Sequence, residues 1–312
     1  MHRRAGLLLG ATLALAGGED ASAPATPVPA TTTSDGTEST RWLVATEPTR
    51  AVVVVAHGLN LRPSRMDAIA ELLREHGADV LRLGLPGHVG GLEEMRGVTR
   101  DAWLRALAEA GIEASVRATQ LQVPLSFVGY SVGGLLYCDS QSSTPAPPPY
   151  ARVVLLAPAL TPNRLVHLTP LMGLFRGERY VIASEAPPES RRHAGTSVRA
   201  YKAVLASLDA VEAADGAAYN VPTWVLIDRD DETVSATRLA QFIARKALTA
   251  WTLEVIDRRG EPVTPIAHHL IIDRQSLGTE RWPWLGAKVV EHLGLESSPK
   301  RPTTPQTPAL AR

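Results

Sequence analysis

Short, nearly continuous runs of apolar residues recur along this 312-residue chain, and amphipathic stretches separate them. Runs of Val, Leu and Ile this short are typical of strands that a parallel sheet buries on both faces. Strands that alternate with helical stretches predict an α/β domain whose crossover helices cover a mostly parallel sheet. The predicted strands are 51–56, 80–83, 125–130, 153–157, 224–227 and 251–256.

Helix signals lie in the stretches between these runs. Pro63 suits the first turn of an amphipathic helix that Gly77 can end. Thr99 is a candidate N-cap of a second helix, because its hydroxyl can accept a hydrogen bond from a free N–H of the first turn. Further helices are predicted from residue 135 onward, at 236–247 and at 284–293.

One interval, from about 159 to 220, breaks the alternation. It contains no predicted sheet strand, although strands precede and follow it. An interval this long is too long for a structureless loop, so it predicts an inserted cap with short helices of its own, including one near 197–211. The apolar run at 165–175 suits an acyl-chain pocket or lipid contact as well as it suits the core of the cap.

The two ends of the chain differ in composition from its middle. Residues 1–18 place a short basic segment before an apolar run and then small residues, which is the order of an export signal. Residues 19–40 and 296–312 are rich in Pro, Thr, Ala and Ser, which predicts disordered segments on either side of a folded domain over 41–295. We therefore expect an exported protein, in the periplasm, at the envelope or secreted.

The charge and cysteine counts exclude several classes of protein. The 32 basic and 32 acidic residues cancel, so nothing favours nucleic-acid binding, which requires a basic surplus. The single cysteine, Cys138, cannot form an internal disulfide, and no Cys/His pattern suggests zinc. The acidic segment 228–232 lacks the spacing of a calcium loop. We expect neither a metal nor a cofactor.

Gly129-Tyr130-Ser131-Val132-Gly133 matches the G-x-S-x-G pattern, and it stands between a predicted strand and a predicted helix. That is the position of a nucleophile elbow, a strained strand-to-helix turn that exposes a serine hydroxyl. The glycines allow the strand and the helix to pass closely. The helix N-terminus offers backbone N–H groups to a developing negative charge. Ser131 is therefore the predicted nucleophile.

A serine hydroxyl needs a base to take its proton and a carboxylate to orient that base. The order expected after an elbow is serine, acid, histidine, and this chain has it. The acidic segment 228–232 follows one predicted strand, and His268-His269 follow the next. Both lie just beyond strand C-terminal ends, where open α/β sheets place their sites. Asp228, Asp230 and Asp231 are the candidate acids, and either histidine can be the base.

These segments resemble the monoacylglycerol lipase and carboxylesterase group of the α/β-hydrolase superfamily. In that group the acid lies in a G-x-x-D-x-x-V turn. Here Asp231 takes the acid position before Val234, and Asp228 replaces the glycine. The family histidine is followed five positions later by an acidic residue. His268 has Asp273 at that spacing, whereas the neighbouring histidine is one residue short.

Two further motifs carry the resemblance, a His57-Gly58 pair at a strand end and a Gly87-His88 pair in a later loop. The resemblance covers about residues 41–295 and implies an α/β-hydrolase fold with a helical cap. It also implies an oxyanion hole formed by the backbone N–H groups of Leu59 and Val132. His57 and His88 are expected to be structural, because the ordered triad leaves them no role.

The resemblance implies a serine hydrolase that cleaves carboxylic esters through an acyl-enzyme, with Ser131, His268 and Asp231 as its triad. The expected substrate is a small ester, which includes lipid esters, and membrane contact stays open. The same triad also serves thioesterases, acyltransferases and peptidases. A binding protein that keeps the fold without the chemistry is the alternative from another class.

Overall fold

A computed structural model of the chain describes residues 36–46, 48–163, 169–259 and 268–296. The predicted export segment, most of the N-terminal linker and nearly all of the C-terminal tail lie outside the described residues. Those interpretations therefore stay predictions.

A seven-stranded sheet lies at the centre of the described part of the chain. Its strand order is β1-β3-β2-β4-β5-β8-β9, and β1 runs antiparallel to β3 while every other neighbouring pair is parallel. A separate antiparallel pair, β6 with β7, lies outside this sheet. The strands are β1 (Arg41–Leu43), β2 (Ala51–Ala56), β3 (Ala78–Arg82), β4 (Leu125–Tyr130), β5 (Arg152–Leu156), β6 (Val181–Ala183), β7 (Gly195–Ser197), β8 (Thr223–Asp228) and β9 (Trp251–Ile256).

The central strands are buried on both faces, which explains their continuous apolar sequence. In β2, Val52 and Val54 belong to the hydrophobic core on one face of the sheet, whereas Val53 and Val55 belong to the core on the other. Side chains alternate between faces along a strand, so a strand covered on both sides needs an apolar residue at every position. The predicted mostly parallel sheet, buried on both faces, is confirmed.

Helices cover both faces of the central sheet. On one face, α1 and α9 contribute residues such as Leu73 and Val289 to the core. On the other face, α3, α4 and α7 contribute Trp103, Leu136 and Phe242. No helix in the described ranges is long and apolar enough to cross a membrane. The helices are α1 (Asp67–Glu75), α2 (Leu92–Gly97), α3 (Arg100–Leu121), α4 (Val132–Ser143), α5 (Thr169–Arg176), α6 (Val198–Ala213), α7 (Ala236–Arg245), α8 (Arg274–Leu277) and α9 (Arg281–Leu293).

The interval between β5 and β8 holds α5, β6, β7 and α6 in its described part. Ser197 caps α6 by accepting a hydrogen bond from the N–H of Ala200. The predicted apolar run of this interval lies partly outside the described residues. At its end, Leu174 and Phe175 are 77% and 88% exposed, so these two side chains are not part of a core.

Candidate active site

Ser131 lies at the turn between β4 and α4. Its φ of 51° and ψ of −115° form a backbone conformation that residues with a side chain rarely adopt. Such a conformation persists only where its surroundings hold it. The Ser131 N–H donates to the carbonyl of Leu156 (2.9 Å), and the Ser131 carbonyl accepts from the N–H of Ala159 (2.9 Å). The end of β5 and the residues after it therefore fix the direction of the serine.

Glycines on either side of the serine bring α4 close to the sheet. A Cβ at Gly133 would lie 2.4 Å from the carbonyl oxygen of Ala56, at the end of β2. A Cβ at Gly129 would lie 2.8 Å from the backbone nitrogen of Gly134. The end of a flexible side chain could move away from such a close contact, but these backbone atoms cannot. The small residues of the G-x-S-x-G pattern are therefore a steric requirement of this elbow.

A histidine and a carboxylate continue from the serine hydroxyl in a chain of hydrogen bonds. Nε2 of His269 lies 2.9 Å from Oγ of Ser131, and Nδ1 of His269 lies 2.8 Å from Oδ2 of Asp231. The carboxylate accepts from Nδ1–H, so Nε2 is left to accept from the hydroxyl. The second oxygen of Asp231 accepts the N–H groups of Thr233 and Val234, both at 2.8 Å. This arrangement can take a proton from the serine.

The expectation that His268 reaches Ser131 is wrong, because His269 occupies that position. Nδ1 of His268 instead lies 3.1 Å from Oδ2 of Asp228. Asp228 is fully buried and accepts from Nε of Arg258 at 2.5 Å. The two histidines therefore belong to two separate groups, of which only the Asp231–His269 pair contacts the serine.

The spacing that favoured His268 has another structural meaning. Asp273 is the N-cap of α8, where it accepts from the N–H of Ser276 at 2.8 Å. A helix cap says nothing about which of two adjacent rings faces the serine. Glu232 holds the backbone of both residues, because it accepts the N–H of His268 at 3.3 Å and that of His269 at 3.0 Å. Asp230, another candidate acid, is exposed.

The loop of residues 57–61, here the donor loop, follows β2 and passes beside the serine. A Cβ at Gly58 would lie 2.9 Å from the Tyr130 ring and 3.0 Å from Cβ of Ser131, so only glycine allows this approach. The next residue is Leu59, one of the predicted oxyanion donors. Among the described residues, the N–H groups of Leu59 and Val132 have no hydrogen-bond acceptor, so both are available to a ligand.

Two buried, neutral histidines, His57 and His88, fix the donor loop by accepting hydrogen bonds from backbone N–H groups. Nε2 of His88 accepts the N–H of Asn60 at 2.8 Å, and Nε2 of His57 accepts the N–H of Leu85 at 3.1 Å. Their rings meet edge to face, with centroids 4.6 Å apart. Burial lowers the pKa of His57 to about 4 and lowers the pKa of His88 well below 6.5. The two rings hold backbone groups and do not contact the serine, in line with the structural role expected of them.

A segment of the insertion, residues 190–193, is bonded to the donor loop. The side-chain amide of Asn60 donates to the carbonyl of His193 (3.0 Å) and accepts its N–H (2.9 Å). The Asn60 carbonyl accepts the N–H of Arg192 at 2.7 Å. The guanidinium of Arg192 donates to three carbonyls of the facing loop, those of His88, Val89 and Gly90. The insertion therefore forms a fixed wall beside the serine.

A small cleft lies between this wall, the donor loop and the elbow. Sequence reasoning did not predict the two wall residues that line it, Ser190 and Arg191, because the Pro/Glu/Arg-rich stretch that holds them has no motif. The cleft is lined by Leu59, Asn60, Leu61, Tyr130, Ser131, Ser184, Ala186, Ser190, Arg191, His269 and Leu270.

Metal-ligating clusters and the cysteine thiol are two other possible sources of reactivity. Within it, no group of three or more His, Cys, Asp or Glu side chains is arranged to hold a metal ion. Cys138 is buried in α4, and burial raises the pKa of its thiol well above the ordinary value. That thiol is therefore protonated at neutral pH, which makes it a poor nucleophile.

Comparison with known proteins gives a family match. A family model described as serine aminopeptidase, S33 matches residues 47–192, which include the donor loop and the elbow. No curated protein sequence matches the chain.

Solved structures share the fold at low sequence identity. A soluble variant of monoglyceride lipase from Saccharomyces cerevisiae, in complex with a substrate analogue, is 12% identical with a TM-score of 0.65, over 83% of this chain and 92% of that chain. The monoacylglycerol lipase of Paleococcus ferrophilus is 17% identical with a TM-score of 0.62, over 82% and 99%. A structure from work on the metagenome-derived lipolytic enzymes LipS and LipT is 18% identical with a TM-score of 0.62, over 83% and 98%. Together with the sheet order and the family match, these similarities show that the chain has the predicted α/β-hydrolase fold.

Proposed function

We propose that this protein is a serine hydrolase that cleaves carboxylic esters, with Ser131 as nucleophile, His269 as base and Asp231 as the residue that orients the base. The observation that carries the proposal is the unbroken line of hydrogen bonds from Asp231 through His269 to Ser131, at 2.8 and 2.9 Å. It ends at a cleft whose lining includes both Ser131 and His269. The serine, the base and the acid stand in the chain order typical of this superfamily.

In the first half of the reaction, Oγ of Ser131 attacks the ester carbonyl carbon while Nε2 of His269 takes the hydroxyl proton. The carbonyl oxygen becomes an oxyanion, which the N–H groups of Leu59 and Val132 stabilise. The C–O bond to the alcohol then breaks, and the protonated His269 gives its proton to the leaving alkoxide. The products of this half are the free alcohol and an acyl ester of the serine.

Water completes the second half by the same route. His269 takes a proton from the water, whose oxygen attacks the acyl carbon, and the tetrahedral intermediate again places its oxyanion at the two N–H groups. Collapse releases the carboxylic acid, and the proton returns from His269 to Oγ of Ser131. No other group has to supply or remove electrons.

Two observations support an ester substrate. The structures that share the fold include monoglyceride lipases and other lipolytic enzymes. The walls of the cleft include apolar side chains, among them Leu61 and Leu270, which suit a short acyl or alkyl group. The family model's description names an aminopeptidase, so an aminoacyl anilide belongs in the substrate panel beside an ester and a thioester.

The test compares the wild-type protein with Ser131→Ala on 4-nitrophenyl butyrate. We expect kcat to fall by about 10³-fold or more, because the nucleophile is lost while the oxyanion donors and the cleft remain. Ser190→Ala, another serine of the cleft, is the matched control and should stay within a few-fold of wild type. A fluorophosphonate probe should label the wild-type protein and the control but not Ser131→Ala. Equal activity or labelling of Ser131→Ala would refute the proposal.

A further inference from the structure

Arg191 gives the cleft a positive charge that the proposed ester chemistry does not use. Among the described residues lining the cleft, it is the only side chain with a permanent charge. Acidic side chains are missing from that lining, and the carboxylate of Asp231 already accepts from Nδ1 of His269. The described part of the chain therefore places an uncompensated cation beside the nucleophile.

The guanidinium of Arg191 is held in place by a hydrogen bond, but not all of its N–H donors are used. Its Nη1 donates to the carbonyl of Ser184 at 2.8 Å, and the backbone of Arg191 forms an antiparallel bridge with Leu61 of the donor loop. Its Nε and Nη2 have no acceptor among the described residues and are not sealed from solvent. The neighbouring Arg192 differs, because its Nε and Nη2 donate to backbone carbonyls. One arginine of the pair holds the wall, and the other keeps free donors at the cleft.

We propose that Arg191 selects esters whose acyl or alcohol part carries a carboxylate. The planar guanidinium can donate two parallel hydrogen bonds to such a group, and a charge-assisted pair of this kind is stronger than a neutral hydrogen bond. A single cation matches a single negative charge, so a monoanionic carboxylate fits better than a doubly charged phosphate monoester. The inference rests on the proposed function, since it names the substrate class of the same cleft.

The first experiment measures binding, so that it does not depend on turnover. Ser131→Ala protein is titrated calorimetrically with monoethyl succinate and with ethyl butyrate, which has nearly the same shape and lacks the charge. A second pair, 3-butyryloxypropanoate and propyl butyrate, places the carboxylate on the alcohol side. We expect the anionic member of at least one pair to bind about tenfold more tightly, and the pair that shows it assigns the side on which the carboxylate lies.

Variants of Arg191 decide whether this residue causes the preference. Arg191→Gln in the Ser131→Ala background should remove the preference, and Arg191→Lys should keep part of it. Arg199→Gln is the matched control, because Arg199 is a half-buried arginine of the insertion that pairs with Glu178 and does not line the cleft. Equal binding within both ester pairs, or a preference that survives in Arg191→Gln, would overturn the inference.

Turnover separates the two proposals. The wild-type protein is assayed on the neutral esters and on the anionic ones, with released acid measured by pH-stat titration. Hydrolysis of neutral esters that Ser131→Ala abolishes supports the proposed function whether or not the anionic esters are preferred. If neither ester is cleaved, the proposed function fails, while the binding comparison still decides the role of Arg191.

Discussion

Each of the two adjacent histidines has its own carboxylate. His269 connects Asp231 to the serine, whereas His268 faces Asp228. Asp228 is also bonded to Arg258, so it keeps a cationic partner when His268 is neutral. The imidazole of His269 is therefore positioned to move a proton. That of His268 instead contacts a buried carboxylate that is already paired with Arg258.

Substitution of the two histidines by the same residue separates these roles. His269→Gln should lower kcat on 4-nitrophenyl butyrate by about 10³-fold or more, because an amide cannot take the serine proton. His268→Gln should keep activity within a few-fold of wild type, since Asp228 retains Arg258. Thermal melting of both variants controls for folding. Loss of activity in His268→Gln alone, with a normal melting temperature, would reverse the assignment.

The sequence predicted some of this site and missed the rest for physical reasons. Ser131 could be found because an elbow is a local pattern with local steric demands. Asp231 was singled out by its place in the turn and lies 2.8 Å from a histidine nitrogen, but its role as the acid stays a prediction. The choice of His269 could not be read from spacing, because adjacent side chains point in different directions and only the tertiary structure places one ring against Ser131 and the other against Asp228. Arg191 could not be predicted, because an insertion with no motif brings it to the cleft.

The elbow depends on how closely α4 crosses the end of β2. Gly133 is the point of contact, and the atom it faces is a backbone oxygen of a strand that is buried on both faces. Relief of the contact would require α4 to move away from the sheet, which would also move Ser131 at its N-terminal end. Packing and site geometry are therefore coupled at this glycine.

We expect Gly133→Ala to destabilise the protein by about 2 kcal/mol or more, because the added methyl group cannot be accommodated without a backbone shift. Gly97→Ala is the matched control. Gly97 ends α2, and a Cβ added there would meet no atom within 4 Å. That variant should be neutral or slightly stabilised, since alanine loses less conformational entropy on folding. Urea unfolding at neutral pH measures both, and equal midpoints would contradict the steric argument.

Strands were predicted correctly where burial on both faces of the sheet requires an apolar residue at nearly every position. Each of the six predicted strands corresponds to a strand of the central sheet, and these six strands pair with one another in parallel. The strands that were not predicted, β1, β6 and β7, have three residues each and pair in antiparallel fashion. Three residues are too few to show a period, and such strands form because a neighbouring edge offers backbone partners.

The buried histidines connect the site to the stability of the whole molecule. His57 and His88 lie where the end of β2, the donor loop and the loop after β3 meet, and each accepts a backbone N–H from another part of the chain. An imidazolium has no acceptor lone pair, so protonation would break these bonds as well as bury a charge. The fold is therefore expected to lose stability in mild acid.

The direction of that loss follows from the pKa of His57, which burial lowers from 6.5 to about 4. Between these values the unfolded chain binds a proton that the folded chain does not, so the free energy of unfolding falls as the pH falls. The contribution of His57 to the free energy of unfolding is fully present above pH 6.5 and is lost by about pH 4, a change of about 3 kcal/mol.

Urea unfolding at several pH values between 7 and 4 measures this change. His57→Gln should be less stable than wild type at pH 7 but lose less stability on acidification, because the amide supplies an acceptor that does not titrate. Parallel pH profiles for the two proteins would show that another group causes the acid loss.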